Sequence, residues 1–145
     1  MQSLEKLKPL ALLLLRAALG AIFLYHGYPK LFGHTAETLQ AFARMGFPSY
    51  FAYSAGIIEC FGGCLLIAGL FTRVAGLLLA GEMAVALWRV HGILINPWKV
   101  SNYEFPLALA VGAFALAVFG AGPIALDRLF FPEGKRSPRK PKNKD

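Results

Sequence analysis

Seven side chains of this 145-residue chain place charge or an imidazole inside, or at the rim of, apolar stretches: His26, Lys30, Glu59, Glu82, Arg89, His91 and Glu104. Such groups are expensive in an apolar medium and are kept where they pair, bind or carry protons. His26 and Lys30 stand one helical turn apart, and Glu82 and Arg89 are close to two turns apart on one face. Lys30 and Arg89 can balance Glu59 and Glu104, which predicts a paired, partly buried network. Glu82, deeper than the rest, is set to reach Arg16 or Arg89. Three uses fit this set: ion pairs that fix helix register without chemistry, a polar cavity that binds a ligand, and redox or proton chemistry. Two histidines at one level could ligate a haem iron, but nothing else in the chain supports haem. The chain has no Gly-rich phosphate loop, no Ser-His-Asp arrangement and no zinc-type spacing, so no metal site is expected. Cys60 and Cys64 are four apart, a spacing poorly aimed for a disulfide and unlike a redox Cys-x-x-Cys, and read as two small buried apolar residues.

The elements that must hold these groups are membrane helices. The chain is 57% hydrophobic and 16% charged, with a mean hydropathy of +0.53, a composition that points to a bilayer rather than the cytosol. Apolar stretches over residues 10–31, 52–71, 74–95 and 105–126 predict four spans. The expected fold is an all-α membrane protein, an antiparallel four-helix bundle. Lys6 and Lys8 before the first stretch also suit a cleavable signal peptide, but Arg16 cuts its apolar core short, so the stretch is kept as a span. In the first long loop, Thr35 is expected to cap a short helix with Leu39, Phe42, Ala43 and Met45 on one side and Glu37, Gln40 and Arg44 on the other, stopped by Gly46 and Pro48. Such a helix lies on the membrane interface.

The net charge of +7 is largely a property of the end of the chain, where six basic residues outweigh Glu133 and Asp145. Residues 1–131 are therefore read as the membrane domain and 132–145 as a basic, disordered tail near anionic headgroups rather than a nucleic-acid binder. Lys6, Lys8, Arg73, Arg128 and the tail fall on one side of the four spans, which predicts both termini in the cytoplasm. Both tryptophans, all five tyrosines and all three histidines then fall toward the opposite, outer side. Rings with a polar tip favour that interface. Arg16, Gly20, Phe23, Gly27 and Lys30 form one stripe of the first helix. Gly56, Gly62, Gly63 and Gly69 of the second and Ala108, Gly112 and Ala115 of the fourth are expected to allow close helix approach.

Several of these residues also carry a resemblance. Arg16-Ala-Ala-Leu-Gly20, Phe23-Leu-Tyr-His26-Gly27-Tyr-Pro-Lys30, Glu59 with Gly62-Gly63, Gly69-Leu-Phe-Thr-Arg73, and Gly120-Ala-Gly-Pro123 through Leu126-Asp127 follow in an order and spacing that resembles the DoxX family. The resemblance covers residues 10–129. It implies a four-helix integral protein of the plasma (inner) membrane, in a family that includes a small membrane subunit associated with thiosulfate:quinone oxidoreduction and members implicated in membrane-linked redox defence. More distant relatives resemble assembly chaperones and cargo receptors, so the resemblance fixes architecture better than activity.

Two functions of different class follow. In the first, the chain is a membrane subunit of a quinone-linked oxidoreductase system. A quinone headgroup entering from lipid bonds His26 or His91, Glu59 and Lys30 handle the accompanying proton, and Phe23, Tyr25, Tyr53 and Trp88 line the slot. No cofactor motif is present, so electrons would come from a soluble or membrane redox partner. In the second, the chain is a non-enzymatic module that binds a lipid-like ligand or assists assembly of a partner protein. A proton-coupled transporter with Glu82 as carrier fits four unbroken spans less well, unless the chain forms an oligomer.

Overall fold

The computed structural model describes residues 2–90 and 97–130. His91 and the basic tail at 132–145 lie outside the described residues. Among the described residues the chain is all-helical, without strand. A short α1 (Gln2–Glu5) precedes α2 (Lys8–Tyr28), which continues into a π-helical turn at Pro29–Gly33. Next come α3 (Thr35–Arg44), α4 (Tyr50–Ala68), α5 (Thr72–Arg89), a 3-10 turn at Val100–Asn102, α6 (Glu104–Phe119) and α7 (Asp127–Phe130). Two uninterrupted helical stretches, Lys8–Gly33 and Tyr50–Ala68, are long and apolar enough to cross a bilayer. The 18 residues of α5 include Arg73, Glu82 and Arg89, and α6 is apolar but only 16 residues long. The last apolar stretch thus stays helical to Phe119, not to Leu126. Gly120 and Gly122 take the left-handed values φ 81° and 78° that only glycine adopts freely, and turn the chain back.

Small residues set the packing. A methyl group on Gly20 would stand 2.7 Å from the Gly63 carbonyl oxygen, and one on Gly27 would stand 2.7 Å from the Cys60 amide nitrogen. Ascending α2 while descending α4, these contacts fix an antiparallel pair with nearly touching backbones. The pair α5–α6 is built likewise, but on Gly76, whose added methyl would meet the Ala113 oxygen at 2.7 Å. That face was expected at Ala108, Gly112 and Ala115. Ala108 is exposed and Ala115 half-buried, while Ala113 is fully buried, and Gly112 abuts Leu19 of α2. A periodic run of small residues marks a close contact but leaves its azimuth open when larger neighbours are equally apolar.

Leu19, Phe23, Leu66, Leu79, Met83, Leu109, Ala113 and Leu116 form the core where the four long helices meet. The outside is as apolar as the inside: Leu14, Phe61, Leu77, Leu78, Val111, Phe114 and Phe119 are exposed, whereas Arg16, Glu59 and Thr72 are buried. An exposed apolar belt around buried charge is the reverse of a water-soluble surface and suits lipid contact. Most rings cluster at one end of the bundle, which carries exposed Tyr25, Tyr28, Tyr50, Tyr53, Trp88 and Trp98. Tyr103 is the exception: it is buried, and its hydroxyl donates to the Pro97 carbonyl at 2.5 Å.

Helix α3 forms where expected, with Leu39, Phe42 and Met45 half-buried and Glu37, Gln40 and Arg44 exposed, but Ala43, expected on the apolar side, is exposed next to Arg44. His34, not Thr35, precedes its first turn, with no side-chain cap bond; Thr35 is itself the first helical residue, and its hydroxyl donates back to the Leu31 carbonyl at 3.1 Å. At the opposite end of the bundle, Arg16 donates to the carbonyls of Ala121 at 2.8 Å and Ile124 at 2.7 Å. There the Asp127 carboxylate accepts from the amides of Phe71 at 2.6 Å and Thr72 at 3.0 Å, capping the start of α5 from a distant part of the chain.

Candidate functional site

Lys30 sits in the π turn, which Pro29 opens without an amide hydrogen to donate. Widening the helix by one residue per turn re-aims the side chains that follow. The close approach of Gly27 to Cys60 brings this turn against α4, and a methyl on Gly56 would meet the Leu31 side chain at 2.9 Å. In that contact the Lys30 ammonium donates to Glu59 Oε2 at 2.5 Å, with 23% of the lysine side chain and 4% of the glutamate side chain exposed. Burial this complete makes the pair depend on its partner: neither charge can be left alone there without a large desolvation cost.

Glu82 faces this pair from α5 across a longer, purely electrostatic distance. Its side chain is half-buried and within electrostatic reach of both Glu59 and Lys30. Its Oε2 is buried and accepts no hydrogen bond from any described residue. The cluster is therefore one ammonium facing two carboxylates, with an acceptor left over. Such a set can donate to a carbonyl or hydroxyl, accept from a hydroxyl, and exchange a proton with it.

Of the seven residues expected to form one network, Lys30, Glu59 and Glu82 converge. His26 is exposed and makes ring contacts, with Tyr25 at 5.5 Å and Phe105 at 5.7 Å, on the α2–α6 flank. Arg89 does not balance a carboxylate. Its guanidinium lies over the rings of Phe47 at 5.5 Å and Trp88 at 5.6 Å, a cation–π contact that ties the end of α5 to the loop before α4. Glu104 opens α6, as expected, but is exposed and in no ion pair with the described residues. Glu82 does not reach Arg16, which is committed to carbonyls at the other end. Cys60 and Cys64 are both free thiols, one buried and one exposed. Among the described residues no three His, Cys, Asp or Glu side chains could hold a metal.

Arg16 and Asp127 were underread. Arg16 reads from the sequence as part of a packing stripe and Asp127 follows the last apolar stretch, yet together they organise one end of the molecule. A signal was present: an arginine within an apolar run needs acceptors, and the carbonyls of a glycine-rich turn supply them without a second charge.

The chain matches the DoxX family model over residues 11–92. It is 38% identical to the Bacillus subtilis (strain 168) protein named "Putative oxidoreductase CatD", across 86% of this chain and 90% of that protein. It is 35% identical to an uncharacterised protein of Haemophilus influenzae, across 90% and 98% of the two chains. With the Escherichia coli (strain K12) protein named "Inner membrane protein YphA" the identity is 31%, across 83% and 91%. No solved structure matches. Family match, near full-length relatives, and an apolar exterior around buried charge agree: the chain is a membrane protein that belongs to the DoxX family.

Proposed function

We propose that α2, α4, α5 and α6 cross the plasma (inner) membrane, with both termini cytoplasmic and α3 on the outer interface. In this reading the Lys30–Glu59–Glu82 cluster receives the headgroup of a quinone for a partner oxidoreductase. The observation that carries it is the buried Lys30–Glu59 ion pair with, in its electrostatic reach, a buried Glu82 oxygen that accepts no hydrogen bond from the described residues. A polar, proton-exchanging site enclosed by helices with an apolar exterior suits an amphipathic ligand that arrives through lipid.

The lysine ammonium would donate to a headgroup oxygen and the carboxylates would deliver or collect its proton. Reducing a quinone takes two electrons and two protons. The chain carries no cofactor motif, so the electrons are assigned to a partner and the proton path to this chain. The name of the Bacillus relative supports an oxidoreductase setting. The α2–α6 flank, where His26 lies against Phe105, is the assigned lateral opening.

Titration of the purified, detergent-solubilised protein with decylubiquinone tests the reading. Binding should weaken about tenfold in Glu59→Gln and in Lys30→Met, a loss of about 1.4 kcal/mol. Unchanged affinity in both variants would sink it. A protein partner that co-purifies from native membranes without quinone or redox turnover would favour an assembly module instead.

A further inference from the structure

The four long helices are joined as two pairs. Helix α2 lies along α4 and α5 along α6, while contact between the pairs is narrower, α4 against α5 and a short stretch of α2 against α6. Lys30 and Glu59 belong to the first pair and Glu82 to the second. How the pairs are held together therefore decides how the carboxylate meets the ion pair.

The chain segment after α6 holds them from both sides at the far end. Arg16 of α2, 1% exposed, binds the carbonyls of Ala121 and Ile124. The Asp127 amide donates to the Gly69 carbonyl at the end of α4, at 2.8 Å. Its carboxylate takes the first amides of α5, where Phe71 is held at φ 49°, a left-handed value costly for a side chain with a Cβ. One short segment thus grips α2, α4 and α5 at once.

We propose that Arg16 and Asp127 are positioning residues for the Lys30–Glu59–Glu82 cluster: their clamp sets the angle between the two helix pairs, and with it the place of Glu82 midway along α5. The lever is long enough to matter. Glu82 stands roughly 15 Å along α5 from Thr72 at ~1.5 Å per residue, so a tilt of about 10° moves it by ~2–3 Å. That displacement is comparable to a hydrogen-bond length. The geometric claim is independent of the ligand, and only its affinity readout rests on the quinone reading above.

The test places nitroxides at Tyr25→Cys and Trp88→Cys, exposed positions on α2 and α5, in a Cys60→Ala, Cys64→Ala background. Pulsed dipolar spectroscopy then reads the distance between the pairs. Arg16→Met and Asp127→Ala should shift or broaden it by about 4 Å, the same tilt acting over the ~24 Å to Trp88. Asp127→Asn, which keeps one acceptor, should give a smaller change and serves if the alanine form does not fold. Ala113→Gly, a destabilising change inside the second pair, should leave the distance alone. An unchanged distance in the clamp variants, or an equal change in Ala113→Gly, overturns the proposal. Decylubiquinone affinity in the clamp variants should fall about tenfold. A shifted distance with unchanged affinity supports the clamp and counts against the quinone reading instead.

Discussion

Lys30 and Glu59 are worth less as a source of stability than as a commitment. Removing one partner leaves the other charge buried, a loss of about 3–5 kcal/mol, whereas replacing both by apolar side chains can be close to neutral. Lys30→Met should therefore lower the melting temperature in detergent more than the double substitution Lys30→Met, Glu59→Leu does. A double-mutant cycle on purified protein measures the difference. Equal losses in the single and double variants would mean that the Glu59 carboxylate reaches water, or takes up a proton, when unpaired. Sequence spacing was informative at this scale for depth and poor for direction. Counting turns brought Lys30, Glu59, Arg89 and Glu104 to one level, and the first two do meet. Arg89 turned to aromatic rings and Glu104 to the surface because level along a helix says nothing of azimuth, and several faces of these helices are equally apolar.

Helix contacts here depend on absent side chains, so they respond sharply to added ones. Gly63→Ala would press a methyl against the Gly20 carbonyl and the Leu24 amide, at 2.7 and 2.9 Å, where backbone cannot yield cheaply. It should destabilise by about 1–3 kcal/mol. Gly81, in the middle of α5, faces open space with nothing within 4 Å of an added methyl. Gly81→Ala should stabilise by roughly 0.5–1 kcal/mol, through backbone entropy alone. Thermal melts of both variants in one detergent check the opposite signs. The long apolar elements were readable from the sequence because hydropathy and length report them directly. The end of α6 was not: no charge interrupts residues 105–126, and the reversal at Gly120 is a matter of φ, to which hydropathy is blind. Cap chemistry was equally hidden, since Asp127 and the start of α5 are 55 residues apart along the chain.

For the molecule as a whole, the two ends of the bundle differ in kind. One is tied by backbone acceptors around Arg16 and Asp127, with exposed Arg73 and Arg128 nearby. The other carries the aromatic rings and the Lys30 cluster. The proposed topology, with both termini cytoplasmic, is tested by a membrane-impermeant maleimide applied to intact cells, which should label Gln40→Cys in α3 but not Arg128→Cys, in a background lacking Cys60 and Cys64. The reverse pattern would invert the topology, and labelling of both would reject the odd number of spans, α4, α5 and α6, between them. The positive-inside count predicts this orientation without any structure, because it depends on charge totals and not on packing.

The π turn at Pro29–Gly33 has a consequence of its own. A helix with one residue too many in a turn is out of phase beyond that point by about 100°. Deleting exposed Phe32, which follows Lys30, should restore ordinary winding and leave the ion pair in register while rotating everything after it. Helix α3 would then turn its polar side toward α4, and the loop carrying Phe47 would lose its place under Arg89. The surplus residue acts as a phase adjuster at the end of the helix, setting the direction in which the chain leaves Gly33 for α3.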